Sequence, residues 1–228
     1  MAGQIITLEG LDGSGKSTQI ELLLNYFKKK GIKHQYIHFP MLNQGRYGHL
    51  IAEYLRGEFG SIDQVHPKLV ALLFAEDRHA FKPQLMKWLN EDYLILLDRY
   101  VNSNIAFQCA KTSNVVDKKA LKSWILDFEF NDIQLPKPSK SVFLNVPFHI
   151  IEKSLTTERT GDDRDYLNGK TDIHEDAIEF QRQVYQEYLQ MIEEQEQFFA
   201  LDCMAKNGEW LSKDLIHQQL IKLFDLES

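Results

Sequence analysis

Residues 10–17 read Gly-Leu-Asp-Gly-Ser-Gly-Lys-Ser, a full match to G-x-x-x-x-G-K-[ST], and no other feature of the chain restricts its fold as strongly. The motif works only where a strand turns directly into a helix. Both flanks are present: apolar Ile5–Leu8 before it and helical spacing over Thr18–Lys30 after it. The residue types follow from the chemistry. Gly10, Gly13 and Gly15 let the backbone curl so that successive N–H groups converge on phosphate oxygens. The helix start adds about half a positive charge at the same point. Lys16 can then reach the β- and γ-phosphates, and the Ser17 hydroxyl can ligate Mg²⁺, with Leu11, Asp12, Ser14 and Thr18 completing the cradle. This pattern binds a nucleoside triphosphate.

The rest of the chain extends the same architecture. Short β-rich runs at Ile5–Leu8, Tyr36–Phe39, Tyr93–Leu97, Val142–Val146 and Phe198–Leu201 alternate with helical stretches. The helical stretches are Thr18–Lys30, Pro67–Asn90, Lys118–Phe130, Glu175–Glu194 and Leu211–Leu226. Strand–helix alternation predicts an α/β fold with a parallel sheet of five strands flanked by helices, because parallel neighbours cannot be joined by a tight turn. The run at 93–97 is apolar throughout, as a strand covered on both faces should be. No repeat or Pro/Ser-rich linker divides the chain, so residues 1–228 read as a single domain. Residues 156–171, TTERTGDDRDYLNGKT, break the pattern. A loop of that length is either a functional lid or a solvated excursion, and the segment alone leaves both open.

Composition narrows the partners. Lys+Arg is 26 against Asp+Glu 33, a formal charge of −7, which opposes binding to polymeric nucleic acid or an anionic membrane. The apolar runs Leu94–Leu97 and Leu69–Ala75 fall far short of the roughly 20 residues that cross a bilayer. No basic n-region with an apolar core follows Met1. Two cysteines, Cys109 and Cys203, fit a reducing compartment and have no C-x-x-C spacing, so no zinc site is expected. The expectation is a cytoplasmic protein.

The nucleotide motif does not by itself choose between a switch, a hydrolase and a kinase. No Asn or Thr is followed by Lys, so the N-K-x-D type of guanine reader is absent, and no D-x-x-G follows the loop. The apolar strand near residue 97 ends in Leu97-Asp98-Arg99-Tyr100. An acid at the carboxyl end of a parallel strand lies beside the nucleotide crevice, so Asp98 is a candidate for the Mg²⁺ shell. Arg99 puts a permanent cation at the same mouth; it is either a structural ion pair or a grip for a second phosphate.

Taken together, these residues resemble the thymidylate kinase family. The resemblance runs through Glu9–Thr18, Phe39-Pro40, Leu73-Phe74-Ala75-Glu76-Asp77-Arg78, Asp98-Arg99-Tyr100 with Ser103-Asn104 and Phe107, and Leu135-Pro136-Lys137-Pro138. It implies a three-layer P-loop fold with a mobile lid at about 156–173. The implied reaction is phosphorylation of dTMP to dTDP by ATP and Mg²⁺ in dTTP biosynthesis, by a homodimer packed through helices, for which the apolar faces of Lys68–Trp88 and of the helix after Asp98 are either candidates or plain core. Other deoxynucleotide or deoxynucleoside kinases, or a regulatory P-loop protein, are the alternatives. By the same resemblance Phe39 and Pro40 bind the acceptor substrate, Phe74 stacks on thymine and Arg78 donates to its carbonyl. Asn104 reads the base edge, Phe107 crowds the 2′ position of the sugar, and Arg99 clamps the acceptor phosphate. Asp12 touches the acceptor sugar or the metal shell. Without the resemblance, Phe74 beside Leu69–Leu73 reads as a core residue.

Two departures from the family pattern stand out. Met41 and Leu42 follow Phe39-Pro40 where an Arg that binds the acceptor phosphate is common, leaving Arg46 as the nearest cation; either a longer loop brings Arg46 round to the substrate or Arg99 acts more alone. Gly13 stands where eukaryotic-type members often carry a basic residue, so the lid residues Arg159 and Arg164 are expected to supply the transition-state cation in the bacterial manner. Asp162, Asp163 and Asp165 could instead pair with Arg164. His174 falls where relatives close over the substrate with Tyr, and is either a contact or a surface residue.

Overall fold

The computed structural model describes residues 3–155, 172–174 and 178–226. Its strands are β1 (Gln4–Glu9), β2 (His34–His38), β3 (Leu94–Asp98), β4 (Lys140–Asn145) and β5 (Phe198–Asp202). They pair parallel throughout, in the order β2-β3-β1-β4-β5. Parallel pairing demands long crossovers, and helices supply them. Helix α1 (Lys16–Lys30) leads to β2; α2 (Gly45–Leu55) and α3 (Pro67–Asn90) lead to β3. Next come α4 (Val101–Cys109), α5 (Val115–Asp127) and a π-helical turn (Phe128–Asp132) before β4. Helices α6 (Phe148–Leu155) and α7 (Ile178–Glu194) precede β5, and α8 (Lys213–Leu223) follows it.

Burial explains where the elements form. All five residues of β3 are buried, so both faces of the sheet are covered there. In α1 the buried positions are Lys16, Gln19, Ile20, Leu23 and Phe27, a helical stripe. The helix starts at Gly15, whose φ of 87° suits glycine, and no side chain caps its first turn. Lys28, Lys29 and Lys30 close it against the negative end of its dipole.

The structure departs from the sequence expectation at two places and decides between open alternatives at a third. Helix α2 was not anticipated, because Gly45 and Gly48 weaken its helical signal. It forms because Ile51, Tyr54 and Leu55 bury against Val70 of α3 in a small second core. Helix α5 begins at Val115 rather than Lys118, since the Asn114 side chain accepts from the N–H groups of Val116 and Asp117 at 2.9 and 3.2 Å. Helix α4 is buried at every position except Phe107 and sits among α3, α5 and α7, so its apolar side belongs to the core and is not a dimer face. Exposed Leu69 and Met86 remain on α3.

The strand order sets the position of the site. After β1 the chain leaves for the sheet edge at β2, and after β3 it crosses to the other side at β4. Between β1 and β3 it therefore opens a crevice at the carboxyl ends of the strands. One buried ion pair fixes the wall of this crevice. Arg78 of α3 donates from Nε and Nη2 to the two carboxylate oxygens of Glu129 in the π-helical turn, at 2.6 and 2.7 Å. Asn104 of α4 donates from Nδ2 to Glu129 Oε1 at 2.8 Å and to the Ala71 carbonyl at 3.0 Å. Both partners of the ion pair are essentially sealed from solvent, at 3% and 0% side-chain exposure. Removing one partner of such a pair leaves a buried charge uncompensated. Glu129→Ala should therefore lower stability by about 3–5 kcal/mol, whereas the double change Arg78→Met with Glu129→Met should recover most of it. Urea unfolding of the three proteins checks this; equal losses in the single and double variants would contradict it.

Candidate active site

At the end of β1 the backbone turns through residues 10–15 into α1, and Lys16 is drawn inward. Its Nζ donates to the carbonyls of Gly10 and Leu11 at 3.1 and 3.2 Å and lies 3.7 Å from Asp12. Leu11 and Ser14 are buried beneath the loop, whereas Gly13, Gly15, Ser17 and Thr18 lie on its outer side. Burial lowers the Lys16 pKa from the ordinary lysine value, and the Arg99 charge lowers it further, with only partial relief from Asp12 and Asp98.

Beside it, β3 delivers Asp98 and Arg99. Arg99 has a φ of 65°, a left-handed conformation that costs a non-glycine residue energy and recurs at functional sites. Its N–H is pinned to the Leu8 carbonyl of β1 at 3.1 Å. The side chain turns back over the nucleotide loop, where Nη2 donates to Asp12 Oδ1 at 2.7 Å. Burial works against the guanidinium charge, but Asp12, followed by other nearby groups, more than offsets it, and the net shift of its pKa is upward. Asp98 is also buried, which raises its pKa. The hydrogen bond from His38 Nδ1 to Oδ2, at 2.9 Å, and the nearby cations reverse this and hold the carboxyl below its ordinary value.

These groups form one end of a cavity of about 540 Å³. The other end is apolar and amide-lined: Phe74 and Arg78, four residues apart on α3, face Asn104, Phe107 and Gln108 of α4. Phe39 and Pro40, joined by a cis peptide bond, lie along the floor. The Met41 N–H donates to Asp77 Oδ2 at 2.9 Å and ties this floor to α3. The Arg99 guanidinium lies 5.3 Å from the Phe107 ring centre, so the charged end and the apolar end meet at that side chain. His174 closes the cavity beside Phe107, with its ring 5.3 Å away.

The structure thus gathers Asp12, Lys16, Ser17, Phe39, Pro40, Phe74, Arg78, Asp98, Arg99, Asn104, Phe107 and His174 around one space. It does not bring Arg46 there: that residue is exposed on the first turn of α2 and is not part of the lining. Arg159 and Arg164 lie outside the described residues. Three residues carry the site without having drawn attention in the sequence. Glu9 is wholly buried at the end of β1, where it accepts from Tyr100 N–H at 2.9 Å, Ser103 Oγ at 2.6 Å and Tyr188 OH at 3.0 Å. Burial pushes its carboxyl pKa up. An acid ending an otherwise apolar strand was the available signal. Glu129 holds Arg78 and Asn104 in place, and no local pattern reveals it. Gln108 follows Asn104 by one turn on the same helix face, and that spacing could have exposed it.

Several buried polar atoms find no partner among the described residues. They include Asn104 Oδ1, Gln108 Oε1 and Asp98 Oδ1, all on residues that line the cavity. Such atoms are costly unless something pairs with them. Asn104 Nδ2 is already committed to two acceptors, so Oδ1 is fixed as an acceptor awaiting a donor. For the metal the fit is also good. A carboxylate oxygen without a partner at Asp98 and a hydroxyl at Ser17 are the hard oxygen donors that Mg²⁺ takes alongside water and phosphate. No cluster of three or more His, Cys, Asp or Glu suited to an all-protein metal site occurs among the described residues.

Comparison with known proteins agrees with this geometry. The family model for thymidylate kinase matches residues 8–213. A thymidylate kinase of Mycobacterium tuberculosis is 36% identical over 144 residues, covering 62% of this chain and 65% of that protein. A probable thymidylate kinase of Pyrococcus abyssi is 26% identical over 225 residues, 98% of this chain and 96% of that one. Among solved structures, thymidylate kinase from Candida albicans, noted for broad substrate specificity, is similar with a TM-score of 0.72 at 27% identity. That match covers 99% of this chain and 92% of the Candida chain. Thymidylate kinase from Ehrlichia chaffeensis gives 0.63 at 17% identity over 98% and 100%, a likeness of fold. A two-ended cavity behind a phosphate loop, on a sheet of this order and with a family match spanning most of its length, places the chain in the thymidylate kinase family.

Proposed function

We propose that this chain is a dTMP kinase, transferring the γ-phosphoryl group of ATP to thymidine 5′-monophosphate. The observation that carries the reading is the base end of the cavity. There Asn104 Oδ1 is fixed as an unpartnered acceptor beside Arg78, whose donors lie in the same wall. Thymine offers the matching edge, an N3–H donor next to an O4 acceptor, and Phe74 offers a ring face for the base. Gln108 supplies an amide, either end of which can meet a second group on the base. Cytosine presents an acceptor at N3 and a donor at its exocyclic amine, the reverse of what the wall requires. Phe107 narrows the sugar site by its bulk and disfavours a ribose 2′-hydroxyl.

The reaction needs positioning and charge neutralisation more than covalent help. An oxygen of the acceptor phosphate attacks the γ-phosphorus in line, the bond to the β-phosphate oxygen breaks, and ADP leaves. Lys16 sits where the β- and γ-oxygens rest on the loop, and the uncapped start of α1 adds its N–H groups. Arg99 holds the acceptor phosphate, exchanging part of its bond to Asp12 for a phosphate oxygen. Asp12, freed of that share, is left beside Lys16 and orients it. Asp98 and Ser17 would hold Mg²⁺, which when bound screens the phosphate charges. Arg159 and Arg164 belong to the segment we assign as the lid, from which one of them supplies charge to the transferring group. Lid closure also excludes water that would otherwise take the phosphoryl group.

The protein is proposed to act as a homodimer, in which the exposed apolar residues of α3 are candidates for the interface, and to reside in the cytoplasm. No helix among the described residues is long and apolar enough to cross a membrane.

A coupled ADP-release assay across acceptors tests the function. The expected order is dTMP first, then dUMP lower by about 10–200-fold for one lost methyl group, with dCMP lower by several further orders because its edge leaves buried groups unpaired. Thymidine, which lacks the phosphate that Arg99 grips, should give negligible turnover. Thymidine turned over as well as dTMP, or triphosphate hydrolysis indifferent to every monophosphate, would overturn the reading. Lys16→Ala should abolish turnover with an unchanged circular dichroism spectrum. Of Arg159→Ala and Arg164→Ala, the one at the transferring group should lose about 10³-fold or more in kcat at little changed KM. Unchanged kcat in both would remove the lid cation from the mechanism.

A further inference from the structure

Behind the cavity wall, a chain of polar side chains joins three elements. Lys111, just past the end of α4, donates from Nζ to the Tyr54 hydroxyl of α2 at 2.6 Å. That hydroxyl lies 3.1 Å from Nε2 of His174. The His174 backbone is held on both sides: its N–H donates to Asp172 Oδ1 at 2.7 Å, and its carbonyl accepts from Gln181 Nε2 of α7 at 2.9 Å. The preceding N–H, of Ile173, donates to the Leu55 carbonyl at the end of α2 at 3.0 Å. The imidazole lies between the rings of Phe107 and Phe180, with centroids 5.3 and 5.1 Å away, and forms part of the acceptor cavity. Tyr54, in contrast, is buried at 1% exposure and is not part of the lining.

The donor inventory of this chain orders its protons. An ammonium group only donates, so the phenol oxygen accepts from Lys111. The single phenol hydrogen then goes to His174 Nε2, which must accept it. His174 is neutral, because burial, with the Lys111 charge acting in the same direction, holds its pKa well below the ordinary histidine value. A neutral imidazole whose Nε2 accepts carries its proton on Nδ1. The two ring nitrogens diverge, so with Nε2 turned to Tyr54 the Nδ1–H is directed away from the relay.

We propose that Lys111 and Tyr54 are positioning residues that fix His174 in its Nδ1–H form, so that it presents a hydrogen-bond donor to an oxygen of the acceptor nucleotide beside Phe107. The proposal rests on the dTMP kinase reading and deepens it, naming what sets the donor character of the cavity wall. It also carries a pH dependence. Burial, only partly offset by Asp63, brings the Lys111 pKa down to about 7. Among the described residues, the charged groups that bear on the relay are Asp63 on Lys111, Asp63 and Asp172 on Tyr54, and Asp12 and Arg99 on His174. Below about pH 7 Lys111 is an ammonium and the direction of the chain is set. Above it, the amine can accept the phenol hydrogen. Tyr54 then accepts from a His174 Nε2–H, and the donor on Nδ1 is lost.

The test uses the whole chain with ¹⁵N-labelled histidine. The ring ¹⁵N signals of His174 report its tautomer in the wild type, Tyr54→Phe, Lys111→Met and Lys111→Arg at pH 6 and 8.5. KM and kcat for dTMP are measured in parallel. In the wild type at pH 6 the Nδ1–H form is expected, and KM should rise about two- to tenfold on going to pH 8.5, the scale of one hydrogen bond. Tyr54→Phe should show the Nε2–H form and the raised KM already at pH 6, with a smaller change in kcat, whereas Lys111→Met, which offers the phenol neither a donor nor an acceptor, should lose the pH dependence of both tautomer and KM. Lys111→Arg, which cannot lose its charge, should keep the Nδ1–H form and the low KM at pH 8.5. An Nε2–H wild type at pH 6, or a tautomer that changes with no change in KM, would overturn the proposal. Failure of the dTMP kinase reading looks different: the wild type would show the expected tautomer and no turnover of dTMP at any pH.

Discussion

Two cations buried side by side are the constraint around which the rest of this molecule is arranged. Lys16 follows β1 and Arg99 follows β3, and those strands are neighbours with Leu8 opposite Asp98. The sheet order therefore forces the two charges to one edge, where each acts against the other. Water cannot relieve them, since Lys16 and Arg99 are only 8% and 9% exposed. Asp12 bridges them in the structure described, at 3.7 Å from one and 2.7 Å from the other. In electrostatic terms this carboxylate stands where anionic ligands would contribute most. A site held in that condition is prepared for phosphate groups on two sides at once, which is what in-line transfer between two nucleotides requires. The left-handed backbone of Arg99 fits the same account. Its strain is tolerated because hydrogen bonds on either side, from Arg99 to Leu8 and from Phe39 to Asp98, fix the chain there.

The base end follows a different logic. In the proposed reading its selectivity for a base rests on polar groups committed from behind. Glu129 takes two donors of Arg78 and one of Asn104, so neither side chain can reorient to suit a different base. The same three-way contact joins α3, α4 and the π-helical turn, so stability and recognition depend on one set of atoms. Glu9 plays the matching part at the phosphate end. It accepts from Ser103 and from the Tyr100 backbone, and so sets where α4 starts relative to Arg99. The two ends are thus joined through a single short helix.

Much of this architecture could be read in the sequence, and the reason is locality. The nucleotide loop is continuous in the chain, the five strands are apolar runs, and Phe74 and Arg78 are related by one helical turn. Each of these signals lies within a few residues. What escaped the sequence is non-local or locally atypical. Glu129 is 51 positions from Arg78, and nothing near either residue announces the pair. A helix after Asp98 is legible in the sequence; that α4 keeps no free face is not, because Asn102, Ser103, Asn104 and Gln108 are all buried along with its apolar residues. Helix α2 carries glycines that its burial overrides. Arg46 was a reasonable nearest cation by distance along the chain. The fold of residues 41–55 carries it onto an exposed helical turn instead. The lid arginines fall outside the described residues, and their roles rest on the family resemblance alone.

The central claim is that Arg99 gives up part of its bond to Asp12 in order to hold the phosphate of a thymine nucleotide. The most direct measurement is the ¹⁵N resonance of the Arg99 guanidinium, assigned by its loss in Arg99→Lys and followed during parallel titrations with dTMP and thymidine. The account predicts that dTMP shifts this signal in a saturable way while thymidine, which can fill only the base end, leaves it nearly in place. Equal shifts with the two ligands, or no shift with dTMP at saturation, would contradict it.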